Sequence, residues 1–444
     1  MSANDELPNW RRGVTPHQDI REDRVSERLF AVNLSQAISR EGAEEYRDPT
    51  LFFERTHLTR TLKSLILDVL KTVRGEPGVN SVIHLQTNFG GGKTHAELAL
   101  YHLLKSPDQA LAVPRLKELL AANGFDGVPE AAVAALPCAD FGVGGREVEG
   151  GLVLHTLWGE MAYRLGRNTV SGAELYEIIR DSDEQQCSPG VVKLREVLTK
   201  AGPNLILIDE LLHYMDKAAA VRVGDSNLAT QTMGFLRELT EAVDEVPHSV
   251  LVASVTASDI EKLEVLTEEK AESTLSQMEN ILRRVEDTRT PIESAEIYEI
   301  VRTRLFQSVD ETIAGQVAAT YAQFHRTDPW RDLLPLESRD AEYEALLSKA
   351  YPFHPSIIKV LYERWGSRPQ FQLTRGTLRF LAHLLAHQCQ SDPNDKAIGP
   401  LIHLSDVDLA DDDVRGEAIR VAGSEWEAVI GTDVAAAEGG ASIA

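Results

Sequence analysis

Positive charge is in short supply in this chain. Its 45 Lys and Arg stand against 69 Asp and Glu, for a formal net charge of −24. Such a surface has no broad attraction for DNA or RNA phosphates, so a nucleic-acid contact would need a local basic patch or another subunit. Cysteine is scarcer still. Cys138, Cys187 and Cys389 are scattered, odd in number and without metal-ligand spacing. That excludes a disulfide scaffold and a zinc module, and reduced thiols in a cytosol are the plain interpretation. No apolar run approaches the roughly 20 residues that cross a bilayer, so no membrane partner is expected. The opening Met1–Glu6 is polar and acidic, unlike a secretory signal. A cytoplasmic location is therefore expected. No internal repeat is visible. What remains, at 444 residues and 43% hydrophobic content, fits an ordinary globular chain of two or three domains.

The richest stretch is Ser81-Val82-Ile83-His84-Leu85-Gln86-Thr87-Asn88-Phe89-Gly90-Gly91-Gly92-Lys93-Thr94. An apolar, β-branched run leads into three glycines and then Lys-Thr. Glycines let backbone N–H groups converge on phosphate oxygens, a lysine reaches the β/γ-phosphates, and a threonine hydroxyl can bind Mg²⁺. A helix beginning here adds its positive end, and Ala96, Ala99, Leu100, Leu103 and Leu104 have helical spacing. Asn88, Phe89, Gly90, Gly91, Gly92, Lys93, Thr94 and His95 are the candidate ATP-binding residues. Thr87 occupies the place of the pattern's first glycine, which affects the first turn of the loop more than its ligand.

A second run, Asn204-Leu205-Ile206-Leu207-Ile208-Asp209-Glu210, reads as a buried parallel strand ending in two acids. Asp209 would hold Mg²⁺, directly or through water, together with Thr94. Glu210 would polarise the attacking water as a general base. Glu210-x-x-His213 could also be half of a metal site, but no second Glu-x-x-His accompanies it.

The pattern divides the chain into four parts. Residues 1–75 form an N-terminal extension ending in an amphipathic helix over Leu58–Val73. Residues 76–294 form an α/β core with strands expected at 81–87, 131–138, 204–209 and 249–255. Residues 295–400 read as a helical domain. Residues 401–444, with Asp406, Asp408, Asp411, Asp412 and Asp413, read as a loosely ordered acidic tail.

This layout resembles the AAA+ ATPases, which implies a P-loop NTPase α/β fold with a parallel sheet and a C-terminal helical lid. The resemblance implies a sensor in the strand after the acidic one, where Ser254 and Thr256 stand. It implies an arginine finger acting on a neighbouring subunit, at Arg283 or Arg284. It also implies a second sensor at Arg379, in Gly376-Thr377-Leu378-Arg379. More narrowly, Tyr46-Arg47-Asp48-Pro49-Thr50-Leu51-Phe52-Phe53-Glu54-Arg55-Thr56, Phe89-Gly90-Gly91-Gly92-Lys93-Thr94-His95 and Asp209-Glu210 followed by Tyr214 are similar to one bacterial and archaeal family. So are Pro352-Phe353-His354-Pro355 and Thr374-Arg375-Gly376. It is the AAA+-type family called domain of unknown function 499, whose members resemble phage-exclusion ATPases and often accompany DNA methyltransferases.

The resemblance implies an Mg²⁺-dependent ATPase, a homo-oligomeric motor or switch in a DNA-linked defence system, with a methyltransferase or another defence protein as partner. The competing reading is an ATP-binding scaffold that recruits a partner with little turnover. A small-molecule kinase is weaker, since no acceptor site stands out.

Overall fold

Four short apolar runs and one charged run form a parallel sheet in the computed structural model. The model describes residues 7–26, 30, 32–86, 92–169, 172–255, 263, 265–282, 286–292, 296–327, 336–366, 371, 373–391, 398–424 and 426–433. In chain order its central elements are α1 (Arg60–Arg74), β1 (Val82–Leu85), α2 (Lys93–Lys105), β2 (Ala132–Pro137), α3 (Leu157–Thr169), α4 (Val191–Ala201), β3 (Asn204–Asp209), α5 (Leu211–Ala219), α6 (Leu228–Glu245), β4 (Ser249–Ser254), α7 (Glu268–Leu282) and β5 (Glu286–Arg289). The sheet order is β5-β1-β4-β3-β2, and every neighbouring pair is parallel. The class is α/β.

Side chains of a strand alternate between faces, and here both faces are covered. Ile206, Ile208, Leu251 and Ala253 pack with Trp158, Met161, Leu194, Phe235 and Met278 of the helices on one side. Leu205, Leu207, Val250 and Val252 pack with α1 and α2 on the other. Burial on both sides explains why these strands read as unbroken apolar runs. The helix α1 starts where the Thr59 hydroxyl accepts from the Leu62 N–H at 3.1 Å, and it ends at Gly75 in the left-handed region. Its Leu62, Leu65, Ile66, Val69 and Leu70 are buried against the sheet. Each contributes about 1.5–3 kcal/mol, and Ile66→Ala would cost about 2–5 kcal/mol through the cavity it leaves. This amphipathic helix is thus one layer of the α/β body.

The chain divides into two compact units. The α/β body spans Val32–Glu54 and Leu58–Ile292. The other unit spans Met1–Ala31, Arg55–His57 and Glu293–Ala444. That second unit is mainly helical, with Ile297–Leu305, Glu311–His325, Ala341–Ala350 and Leu373–Gln390 around Val301, Val317, Tyr351, Phe353 and Leu381. It also contains a two-stranded antiparallel ribbon that the sequence pattern does not reveal, Val14–Pro16 paired with Phe306–Val309. The acidic segment after residue 401 is not uniformly loose, contrary to expectation. Asp412–Ala422 is a helix whose N-cap Asp411 accepts from the Val414 N–H, and Val414 and Val421 are buried in the unit's core. Two inward valines about two turns apart anchor it despite the acidic flank.

Among the described residues, no helix is long and apolar enough to cross a membrane.

Candidate functional site

The carboxyl edge of the parallel sheet gathers the residues that carry chemistry. Strand β4 lies between β1 and β3, so its last residue, Ser254, stands beside Leu85 at the end of β1. From Leu85 the chain runs on toward α2, which opens at Lys93. On the other side of β4, Asp209 ends β3 opposite Pro137. The parallel register therefore aligns Ser254 and Asp209 at one edge, where α/β sheets hold ligands.

At the N-cap of α2, Gly92 has φ 81°, and the Ala96 N–H donates to its carbonyl at 2.9 Å. A Cβ there would lie 3.0 Å from Ile292 Cδ1. Left-handed backbone and close approach together require glycine. Lys93 and Thr94 are the first two helical residues, where backbone N–H groups lack intrahelical partners. Backbone N–H groups that point along the helix axis and the helix dipole make this end receptive to an anion.

Asp209 is buried and accepts a hydrogen bond from the Ser254 hydroxyl at 2.6 Å. Burial pushes its pKa up; hydrogen bonds from Ser254 and Thr94 and the nearby Lys93 ammonium oppose that rise. Glu210 follows in the left-handed region at φ 55° and ψ 44°, and its N–H donates to Ser254 Oγ at 3.3 Å. A non-glycine residue pays about 1–3 kcal/mol for such a conformation, which recurs at active sites. The turn ends β3 and starts α5, leaving Glu210 half-buried at the sheet edge.

Lys93, Thr94, Asp209, Glu210 and Ser254 are thus brought together. Thr87, Asn88, Phe89, Gly90, Gly91, Thr256, Arg283 and Arg284 lie outside the described residues. Arg379 belongs to the helical unit. It is 5% exposed, and its Nε donates to the equally buried Glu417 at 2.6 Å.

The other quoted segments have structural work. Phe52, 1% exposed, lies against His95 and His102 of α2, with ring centroids 4.6 and 5.2 Å apart. The His102 Nε2 is 2.9 Å from the Tyr46 carbonyl. Tyr46–Phe53 therefore braces the helix that begins at Lys93. In the helical unit, the His354 N–H donates to the Ile402 carbonyl and the Ile402 N–H to that of Pro352, both at 2.8 Å. Arg375 donates to the Phe30 carbonyl at 2.8 Å, and a Cβ on Gly376 would collide with the Phe371 carbonyl.

One residue escaped the sequence reading. Glu97, on α2, is fully buried, and burial followed by the Asp209 carboxylate pushes its pKa well up. An acid one helical turn after Lys93 does not by itself stand out in the sequence.

The donor set suits a hard divalent cation. The Thr94 hydroxyl and the Asp209 carboxylate supply oxygen ligands of the type Mg²⁺ takes, beside a helix start suited to phosphate. A cation would also relieve the burial that disfavours Asp209's charge.

No curated protein and no solved structure significantly matches this chain. A family model described as the DUF499 N-terminal domain matches residues 13–122 and 137–290, and one described as the DUF499 second domain matches residues 293–442. With matches running through both units, the chain belongs to the DUF499 family.

Proposed function

We propose that this chain is a P-loop, AAA+-like ATPase that binds and hydrolyses ATP with Mg²⁺. The observation that carries the reading is the meeting of the Lys93–Thr94 helix start with Asp209 and Ser254 at one sheet edge. Lys93 and the first-turn amides of α2 bind the phosphates. Thr94 and Asp209 would hold Mg²⁺, which when bound would supply positive charge beside the phosphates. Glu210 accepts a proton from water as the water oxygen attacks the terminal phosphorus. The bond to the bridging oxygen breaks, and ADP and phosphate leave. Ser254 holds the Asp209 carboxylate and, as the resemblance implies, acts as the sensor of the terminal phosphate.

The resemblance stated above supports a motor or switch in a DNA-linked, anti-phage defence system, acting as a homo-oligomer in the cytoplasm. The net charge of −24 favours a partner protein, such as a methyltransferase, as the bearer of any DNA contact. In the same reading, Arg283 or Arg284 completes a neighbour's site, since a guanidinium can fork onto phosphate oxygens.

The test is ATP hydrolysis by the purified chain, with and without DNA, beside mass measurements with and without nucleotide. Stimulated turnover and ATP-dependent assembly are expected. Tight ATP binding with unchanged slow turnover would instead favour the scaffold reading. No ATP binding would end both. Mixing an Arg283→Ala/Arg284→Ala double variant with Lys93→Ala should restore some hydrolysis. No recovery in demonstrated mixed assemblies would reject the trans role.

A further inference from the structure

The helix α2 carries an acid on its buried side. Glu97 is 0% exposed, and neither carboxyl oxygen has an aligned hydrogen-bond partner among the described residues. Its helical neighbours Ala96, Ala99, Leu100 and Leu103 are apolar and buried. A residue of their kind would fill the position without the penalty of burying an unsatisfied carboxyl. Something other than packing must account for the acid.

Helical spacing sets Glu97 one turn beyond Lys93 and Thr94, on their side of α2. The groups that act on it electrostatically are Asp209, Ser254, Glu210 and Lys93, which are residues of the candidate site. Cys138, buried at the end of β2, feels both Asp209 and Glu97. Ser254 is the common neighbour. Its hydroxyl donates to Asp209 at 2.6 Å, accepts from the Glu210 N–H at 3.3 Å, and lies close enough to Glu97 to oppose the rise in its pKa. Glu97 is thus a buried neighbour of the Ser254–Asp209 pair, while Thr94 meets Asp209 from the start of the same helix.

We propose that Glu97 is a positioning residue for a divalent cation at Asp209, setting the Ser254 hydroxyl and the Asp209 carboxylate so that Thr94 and Asp209 can share the ion. The inference rests on the ATPase reading for the identity of the cation as Mg²⁺. The cation site itself can be tested without nucleotide. The side-chain amide of glutamine has the shape of this carboxyl and keeps an oxygen acceptor for the same contact. Leucine has neither.

The probe is Mn²⁺ alone, titrated into the full chain and followed by electron paramagnetic resonance. The parent should bind one ion, and Asp209→Asn should abolish that binding. Glu97→Leu should weaken it about tenfold or more with the melting temperature unchanged or raised, because an apolar side chain replaces an unsatisfied acid. Glu97→Gln should recover most of the affinity. If Glu97→Leu does not fold, Glu97→Met takes its place. A cycle with Ser254→Ala should be strongly non-additive, since Glu97 acts through that hydroxyl. Parental Mn²⁺ affinity in Glu97→Leu, a Glu97→Gln as weak as the leucine variant, additive Ser254 effects, or a parent that binds no Mn²⁺ would each overturn the proposal. Calorimetry of ATP without metal reports separately on Lys93. Loss of that binding with Glu97-dependent Mn²⁺ binding intact would remove the ATPase reading and leave this one standing.

Discussion

The Ser254 hydroxyl donates to Asp209 Oδ1 at 2.6 Å although the two residues are 45 positions apart in the chain. Their meeting is a product of strand order. The last strand residue of β4 is inserted beside the last of β3, while the other edge of β4 borders the strand that feeds α2. A buried carboxylate is costly unless hydrogen-bonded, so Ser254 offsets part of the burial cost of Asp209 and fixes its direction.

Lys93 supplies the positive charge at the start of α2. Lys93→Ala should weaken ATP binding by about 1.5–3 kcal/mol or more, the range for a lost charge-assisted contact. Calorimetry that finds the parental affinity would remove the phosphate-binding assignment.

Glu210 separates chemistry from stability. Glu210→Gln should keep ATP binding and slow hydrolysis by about 10²–10⁴, because the amide cannot take up a proton. Glu210→Gly should lose hydrolysis as well, yet raise the free energy of unfolding by about 1 kcal/mol, since glycine adopts φ 55° without strain. Denaturant unfolding of both variants checks this. A glycine variant less stable than the glutamine one would mean that the turn carries no strain.

Arg379 and Glu417 form a pair in which each residue is 5% exposed. Glu417→Ala should cost about 3–5 kcal/mol by leaving a buried guanidinium uncompensated, and Arg379→Met/Glu417→Leu should restore much of it. If Arg379→Met left stability untouched and lowered only the hydrolysis rate, that would support the sensor role that the resemblance implies.

His354 gives the helical unit an acid-sensitive point. It stacks on His403 with centroids 4.9 Å apart, near His325 and with the Tyr343 hydroxyl 3.5 Å from its Nε2. Burial, then the two neighbouring imidazoles, lowers its pKa from the ordinary 6.5 to about 3. The fold therefore favours neutral imidazole, while the unfolded chain takes up the proton near pH 6.5. Stability is full above that pH and declines as pH falls toward 3, by up to about 1.4 kcal/mol per unit. His354→Asn keeps an N-cap acceptor for Ser356 and removes the titration. Between pH 7 and 5 the parent should lose about 2 kcal/mol more than the variant. Equal losses in urea titrations would assign the acid sensitivity elsewhere.

The strands buried on both faces were legible because continuous apolar runs have few alternatives. Asn204–Asp209 was expected at the same bounds, and the run expected at 249–255 forms Ser249–Ser254. Strand β5, Glu-Asp-Thr-Arg, was not legible. It is an edge strand with a single partner, and an edge strand needs no apolar run. Val14–Pro16 was hidden for another reason: three residues carry no periodicity, and their partner is distant in the chain. Lys93, Thr94, Asp209 and Glu210 could be named because phosphate chemistry fixes local spacing. Glu97 could not, since its meaning comes from Ser254 and Asp209, which only the sheet brings to it.

The ribbon formed by Val14–Pro16 and Phe306–Val309 gives this chain a schedule at the ribosome. The first strand leaves the exit tunnel with its partner still roughly 290 residues from being made, a wait of about 15–60 s at ordinary translation rates. The sheet from β1 to β5 is complete in sequence before that partner exists. A nascent chain thus has time to close the α/β body first, while its leading strand remains an unpaired edge in need of protection.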